Sequence, residues 1–367
     1  MGLGAGLGAI ALDLGGGLPP ADAQPATMTP KQAGAQCGVR VGAAISKGLL
    51  QNPPVQEAFV RNFNLLTPNG ELKWPAVHPA PDTYTFADAD YLSNFCLQNH
   101  IGLRGHNLCW NTGNPAWVTN TVNASNARQI LEDHIQKVAG HFAGRIDSWD
   151  VVNEPIGIWF NRPDGLYTGP WLNALGPEYI DIAFDKVAQV DPKPLRVLNI
   201  HNVDHADSDS DKARQAAINL VRSLISRKVP IQSVGLESHL DAGRPWDPEV
   251  TKRFVGTLRG FGLEVFITEL DVNDSKISGD IRTRDKAVAD LYYNYLLTVM
   301  RESHGDRLVF WAMTDKQNWM DYMKGAPRWT RSDGDPHHRP GLLDENLQPK
   351  MAYSAVVDAI QKACHAG

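Results

Sequence analysis

From residue 38 onward the chain alternates between short apolar runs rich in β-branched residues and longer segments with apolar residues at helical spacing. Eight runs predict strands: 38–45, 62–67, 102–110, 145–152, 195–200, 231–239, 264–269 and 307–312. Between them, 88–98, 124–142, 177–190, 208–227, 247–261 and 281–302 predict amphipathic helices. Short continuous apolar runs suit a parallel sheet buried on both faces. Eight strands alternating with helices predict an α/β fold, a single (β/α)8 TIM barrel. An open doubly wound sheet is the alternative, yet no G-x-G-x-x-G or phosphate loop follows the first strand. No linker, repeat or basic run divides the pattern, so residues 31–367 are expected to form one domain.

The polar residues that end these strands carry the chemistry, because a barrel presents its reactive groups at the carboxyl edge. Trp149-Asp150-Val151-Val152-Asn153-Glu154-Pro155 is an apolar run that ends in an amide and a carboxylate. Pro155 cannot continue a strand ladder, so Asn153 and Glu154 are expected above the strand end. Glu264-Val265-Phe266-Ile267-Thr268-Glu269-Leu270-Asp271 repeats the design. Either carboxylate alone is also what a helix cap or solvated loop end would carry. Two of them on different strands meet the needs of glycoside hydrolysis by double displacement, one protonating the leaving oxygen and one attacking the anomeric carbon. Other strand ends add Lys73 and Trp74, His106 and Trp110, Asn199 and His201, Glu237 and His239, and Trp311 with Asp315 and Trp319. Polar and aromatic groups gathered around two carboxylates describe a sugar cleft.

Composition narrows the partners. The 367 residues carry 43% hydrophobic and 21% charged residues, ordinary for a globular protein with ample core. A net charge of −6 and a pI near 6.0 argue against nucleic acid or an anionic membrane as partner. Ten Trp is a high count, and Trp faces stack on sugars, although most Trp are core residues. Residues 1–30 stand apart as a Gly, Ala and Leu segment without Lys or Arg up to Pro20, followed by Ala21-Asp22-Ala23-Gln24. This reads as the apolar part and cleavage site of an export signal lacking its basic start, or as a low-complexity tail. A secreted or periplasmic location is the expectation.

Cys37, Cys96, Cys109 and Cys364 have no C-x-x-C spacing, which disfavours zinc. Three full disulfide pairings are open, as is a role as core thiols. His201, Asp204, His205 and Asp207, or His337-His338, prompt a metal-hydrolase alternative, but neither group has the i, i+4 helical pair and third ligand of a zinc enzyme. Asp207 to Asp211 resembles half a calcium loop, with Lys212 where glycine belongs and Ile218 where the bidentate Glu belongs. A helix N-terminus rich in acids is the reading, and no metal or cofactor is expected.

The order of these motifs resembles glycoside hydrolase family 10, best known for retaining endo-β-1,4-xylanases on (β/α)8 barrels. The likeness runs from Asn64-Leu65-Leu66-Thr67 through the two strand-end signatures to Leu343-Asp344-Glu345-Asn346-Leu347-Gln348-Pro349-Lys350. It implies Glu154 as general acid/base and Glu269 as nucleophile, with Asn153 bonding the 2-hydroxyl of the sugar being cleaved. It further implies His239 as the group orienting the nucleophile, Asp271 as its partner fixing tautomer and charge, Lys73, His106 and Trp110 as the sugar-binding set, and Trp311 and Trp319 as aromatic walls. Glu154 would have to be protonated near neutral pH and Glu269 ionised, and a carboxylate spacing of ~5–5.5 Å would mean retention of configuration. Xylan or a related β-linked glycan is the implied partner, and a monomer the implied state. A catalytically silent sugar-binding barrel is the rival from another class.

The departures from the family are clustered. Asn69-Gly70 stands where the family shows Glu-Asn, Asn111-Thr112-Gly113 where it shows His-Ser-Gln, His201 where it shows Tyr, and Glu237 where it shows Gln. The first two groups would remove hydrogen bonds from the −2 subsite. Each bond is worth roughly 0.5–1.5 kcal/mol, so three could cost well over tenfold in affinity. Either Gly70 and Gly113 open room for a decorated sugar, or the −2 subsite is merely weak. Glu237 adds a third carboxylate near Glu269, which would raise one of their pKa values unless Lys73 or His239 offsets it.

Overall fold

The computed structural model describes residues 28–323, 330, 331, 335 and 337–364. The signal-like segment Met1 to Gln24 lies outside the described residues. The strands are β1 (Arg40–Ile45), β2 (Leu65–Pro68), β3 (Gly102–Trp110), β4 (Ser148–Asn153), β5 (Leu195–Ile200), β6 (Ser233–Leu236), β7 (His239–Asp241), β8 (Glu264–Asn273) and β9 (Arg307–Phe310). Every pairing is parallel, in the order β6-β5-β4-β3-β2-β1-β9-β8, and β6 pairs back onto β8 to close the ring. Eight strands therefore make the (β/α)8 barrel anticipated from the apolar runs.

The run at 231–239 is not one strand. It breaks at Glu237 and Ser238, where Ser238 takes a φ of 61°, and the chain resumes as β7 alongside the far end of β8. β8 is correspondingly longer than its apolar run, because β7 gives its last residues a partner. The helices agree with the 3.6-residue periodicity to within a few residues, from Ala87–Gln98 to the 23-residue Ile281–Ser303.

Two features of β3 and β4 set up the site. Gly105 faces Trp149 so closely that a Cβ there would lie 2.0 Å from the indole, so the pair packs only with glycine at this position. Inside the barrel, Arg104 is fully buried, donates to Asp150 and, at 3.2 Å, to Ser148, and lies 5.4 Å from the Phe266 ring centre. A buried guanidinium persists only with such partners. The β3–β4 register shifts between His106 and Cys109, and the β4–β5 register between Asp150 and Val152. Irregularities of this kind re-aim side chains at the rim of a barrel.

A disulfide joins Cys37, just after the helix Pro30–Gln36, to Cys364 at the end of the helix Met351–Cys364, while Cys96 and Cys109 are buried free thiols. None of the three full pairings left open by spacing is formed: one bridge coexists with two core thiols. No helix of the described residues is long and apolar enough to cross a membrane.

Candidate active site

Glu269 occupies the floor of the carboxyl-edge cleft and is 4% exposed. Its Oε1 accepts from Asn199 Nδ2 at 2.8 Å, His239 Nε2 stands 3.4 Å from Oε2, and His106 Nδ1 stands 3.8 Å from Oε1. Burial alone would raise the carboxyl, but His106, His239 and Lys73 outweigh it and hold it at about 2. His239 is fixed from its other side by Asp271, 2.8 Å from Nδ1. Burial opposes the imidazolium, yet Asp271 and Glu269 keep its pKa well above the ordinary value. Asp271 also accepts from Trp319 Nε1 at 2.6 Å, so one carboxylate sets both an imidazole and an aromatic wall. His106 is oriented in the same way by Asp150, 2.9 Å from Nδ1.

Glu237 is the third carboxylate of this floor. Burial first, then Glu269 and Glu154 beside it, push its carboxyl well above the usual range. The like-charge conflict foreseen from the sequence is thus resolved in one direction: Glu237 is raised, and Glu269 stays ionised with Lys73 and His239 among the groups that hold it down. Asn199 binds the cluster together. Its Oδ1 accepts from Thr268 at 2.7 Å, which leaves Nδ2 to serve Asn153 at 2.8 Å, Glu237 at 3.2 Å and Glu269 at 2.8 Å.

Glu154 sits differently. Its side chain is 22% exposed, its φ of 48° lies in the left-handed region, and its amide donates to Asn199 O at 2.9 Å. A non-glycine residue held there costs of order 1–3 kcal/mol, a strain that clusters at functional sites. Asn153 Nδ2 lies 3.4 Å from Oε1, and His201 Nδ1 lies 3.0 Å from Oε2. The His201 ring stacks under Trp159 with centroids 5.7 Å apart and planes 11° from parallel.

The remaining sugar-binding candidates also converge. The Lys73 ammonium lies 5.4 Å from the Trp110 ring centre and 5.7 Å from that of Trp311, and Trp311 meets the His106 ring edge-on at 5.2 Å. Trp74, the next residue, is fixed in the core, stacking on His134 at 3.5 Å and donating to Leu108 O at 2.6 Å.

The clustered departures separate into open and filled positions. Asn69 is exposed and a Cβ at Gly70 would meet nothing within 4 Å, so that corner of the cleft is open. Glu71 turns away, accepting from Lys47 N at 2.6 Å and Gly70 N at 3.1 Å. At Gly113 the expected room is already taken: a Cβ would lie 2.5 Å from the Trp110 ring, and φ is +61°. Asn111 is buried, with Nδ2 on Tyr179 Oη at 3.1 Å and Oδ1 on Leu172 N at 3.4 Å, so its amide serves packing.

Asp315 is not a cleft residue either. It accepts from Lys350 Nζ and Gly341 N, both at 2.9 Å. The His–Asp groups that prompted a metal alternative are engaged elsewhere: His205 Nε2 accepts from Asp241 N, Asp204 accepts from Tyr295, and Asp207 caps the helix Ser208–Ser226. His337 and His338 lie near Asp321 and Asp274. Among the described residues three other triads place ligand-type atoms within 4.8 Å, namely His106–Asp150–Glu269, Glu154–His201–Glu237 and Glu237–His239–Glu269. All three belong to the cleft network above.

Sequence reasoning missed Asn199 as the hub and Arg104–Asp150 as the support of His106. Both had a signal, a polar residue inside an otherwise apolar strand. Trp159 had none, since it lies in the short 3-10 helix Ile158–Phe160 beyond the strand.

The model of glycosyl hydrolase family 10 matches residues 30–359. The endo-1,4-beta-xylanase A of Caldicellulosiruptor sp. (strain Rt8B.4) is 32% identical over 335 residues, covering 87% of this chain and 46% of that protein. The beta-1,4-xylanase of Dictyoglomus thermophilum is 31% identical over 329 residues, covering 86% of this chain and 87% of that protein. The crystal structure of xylanase 10B from Thermotoga petrophila RKU-1 in complex with xylobiose superposes with a TM-score of 0.82 at 25% identity, covering 93% of this chain and all of that one. The chain belongs to glycosyl hydrolase family 10 and is a glycosidase.

Proposed function

We propose that this glycosidase is an endo-1,4-β-xylanase that works by double displacement, with Glu154 as acid/base and Glu269 as nucleophile. The observation that carries the assignment is the asymmetry of the two carboxylates: Glu269 is buried and held ionised at about 2, while Glu154 is partly exposed at the strand end. Glu269 attacks the anomeric carbon as Glu154 gives its proton to the glycosidic oxygen, and the alcohol leaves. Glu154 then takes a proton from water, whose oxygen attacks the same carbon and releases Glu269. Asn153, on the shared Asn199 amide, suits a hydroxyl contact beside the scissile bond. Lys73, His106, Trp110, Trp311 and Trp319 form the sugar-binding wall, and His239 with Asp271 orients and electrostatically supports the nucleophile.

The −2 subsite is proposed to be weak and open at Gly70. The burial of Asn111 and the turning away of Glu71 support fewer hydrogen bonds there. A secreted or periplasmic location is supported by the Cys37–Cys364 disulfide, since such bonds persist in oxidising compartments. The proposed unit is one catalytic domain over 31–367, acting as a monomer.

Product analysis tests the reading, with linear xylohexaose and glucuronoxylan beside a Glu269→Ala control. Short xylo-oligosaccharides from the hexaose, absent in the control, are expected. Cleavage of the decorated polymer alone would move the specificity to a substituted glycan, and silence on both would return the barrel to a binding role.

A further inference from the structure

The ring that stands closest to Oε2 of Glu154 is not part of the sugar wall. His201 comes from the end of β5, is 8% exposed, and places Nδ1 3.0 Å from Glu154 Oε2. Its ring cannot readily turn away, because Trp159 from the loop after β4 lies parallel to it. The other nitrogen, Nε2, is buried and has no hydrogen-bond partner. A buried N–H without an acceptor is rarer than a bare acceptor, so the tautomer that suits this pocket carries its proton on Nδ1. Nδ1 is the ring nitrogen that stands beside Glu154.

Competition for the same proton is small. Glu237 Oε2 is the next acceptor, 4.0 Å from Nδ1, and burial together with Glu269 and Glu154 favours its neutral form. His239 and Glu269 lie beyond Glu237, on the far side of the cluster.

We propose that His201 is a positioning residue for general acid catalysis, donating Nδ1–H to Glu154 Oε2 as charge develops on that carboxylate. The inference rests on the acid/base role proposed for Glu154. The proton that moves to the glycosidic oxygen leaves from Oε1, beside Asn153, while Oε2 faces the imidazole. As Glu154 becomes an anion the 3.0 Å contact with Oε2 tightens into a charge-assisted hydrogen bond, which lowers the barrier to glycosylation. When Glu154 takes a proton from water in the second step the same bond weakens. His201 therefore favours bond cleavage over release of the glycosyl-enzyme.

Leaving-group dependence separates this role from a structural one. An aryl xylobioside of phenol needs the acid, and one of dinitrophenol does not. His201→Phe keeps a flat ring under Trp159 but removes the donor. Its kcat/KM should fall on the order of 10- to 100-fold on the phenyl substrate and by less than about threefold on the dinitrophenyl one. His201→Gln, which keeps an N–H donor, should recover most of that loss. Equal losses on both substrates, no loss on either, or identical behaviour of His201→Phe and His201→Gln would each overturn the proposal. The underlying reading fails separately: turnover of the dinitrophenyl substrate by Glu269→Ala at the unaltered rate would remove it before His201 is at issue.

Discussion

The two carboxylates of the cleft stand on strands of the same barrel, yet their surroundings share little. Glu269 is enclosed by His239, His106 and the Asn199 amide, and these are fixed in turn by Asp271, Asp150 and Thr268. Glu154 has a strained backbone, one-fifth of its side chain in solvent and a single close imidazole. A group that must stay charged needs fixed donors that do not reorganise. A group that must give and take a proton needs access to leaving group and water, and a partner whose hydrogen bond changes strength with its charge. The barrel supplies one environment of each kind.

Asp271 allows the sharpest break of this contrast. Asp271→Asn removes the charge that keeps His239 protonated and weakens the anchor of Trp319. A loss of kcat/KM on the order of 100-fold is expected, the scale of an unpaired buried charge. Because attack by Glu269 is needed with every leaving group, the loss should be equal on phenyl and dinitrophenyl xylobiosides. A loss confined to the phenyl substrate would place Asp271 on the Glu154 side.

Glu237 gives a smaller effect, read in stability. Its carboxyl is raised in the folded state, so the folded protein holds a proton that the unfolded chain loses near 4.5. That stability is present below the unfolded value and is lost as pH rises to the folded one. Glu269 has the opposite slope, its contribution being lost as pH falls from 4.5 toward 2. Glu237→Gln should therefore remove the alkaline-side loss and raise Tm at pH 8 more than at pH 5. About 1 kcal/mol of relief corresponds to roughly 1–2 °C for a chain of this length. A lower Tm at pH 8 than at pH 5, relative to the unaltered protein, would show that Glu237 is needed as an anion.

The strands were legible because parallel barrel strands are apolar on both faces, so eight β-branched runs stood out. The helices were legible by periodicity. The strand-end carboxylates were legible for the same reason, since an acid after such a run has few other places to go. What escaped depended on long-range contact. Asn199 gains its importance from Glu237 and Glu269, 38 and 70 residues away. Gly113 suggested room but accommodates the Trp110 ring, and nothing in the sequence told that Asn111, read only as a departure from the family, packs against Tyr179 and Leu172. The break at Ser238 was hidden because Ser233-Val234-Gly235-Leu236 is apolar or small up to Glu237 and no proline or glycine directly follows to mark an end. Spacing alone left three full pairings or core thiols open for four cysteines, and it is the closeness of the first and last helices that gives one bridge and leaves Cys96 and Cys109 as thiols.

The most direct test of the division of labour is the anomer formed when azide rescues each carboxylate variant on dinitrophenyl β-xylobioside. In Glu154→Ala the glycosyl-enzyme still forms on Glu269, and azide should displace it to give the β-azide. In Glu269→Ala azide takes the place of the nucleophile and should give the α-azide. Those two products, one from each variant, are the predicted result; the reverse pairing, or the same anomer from both, would contradict the assignment.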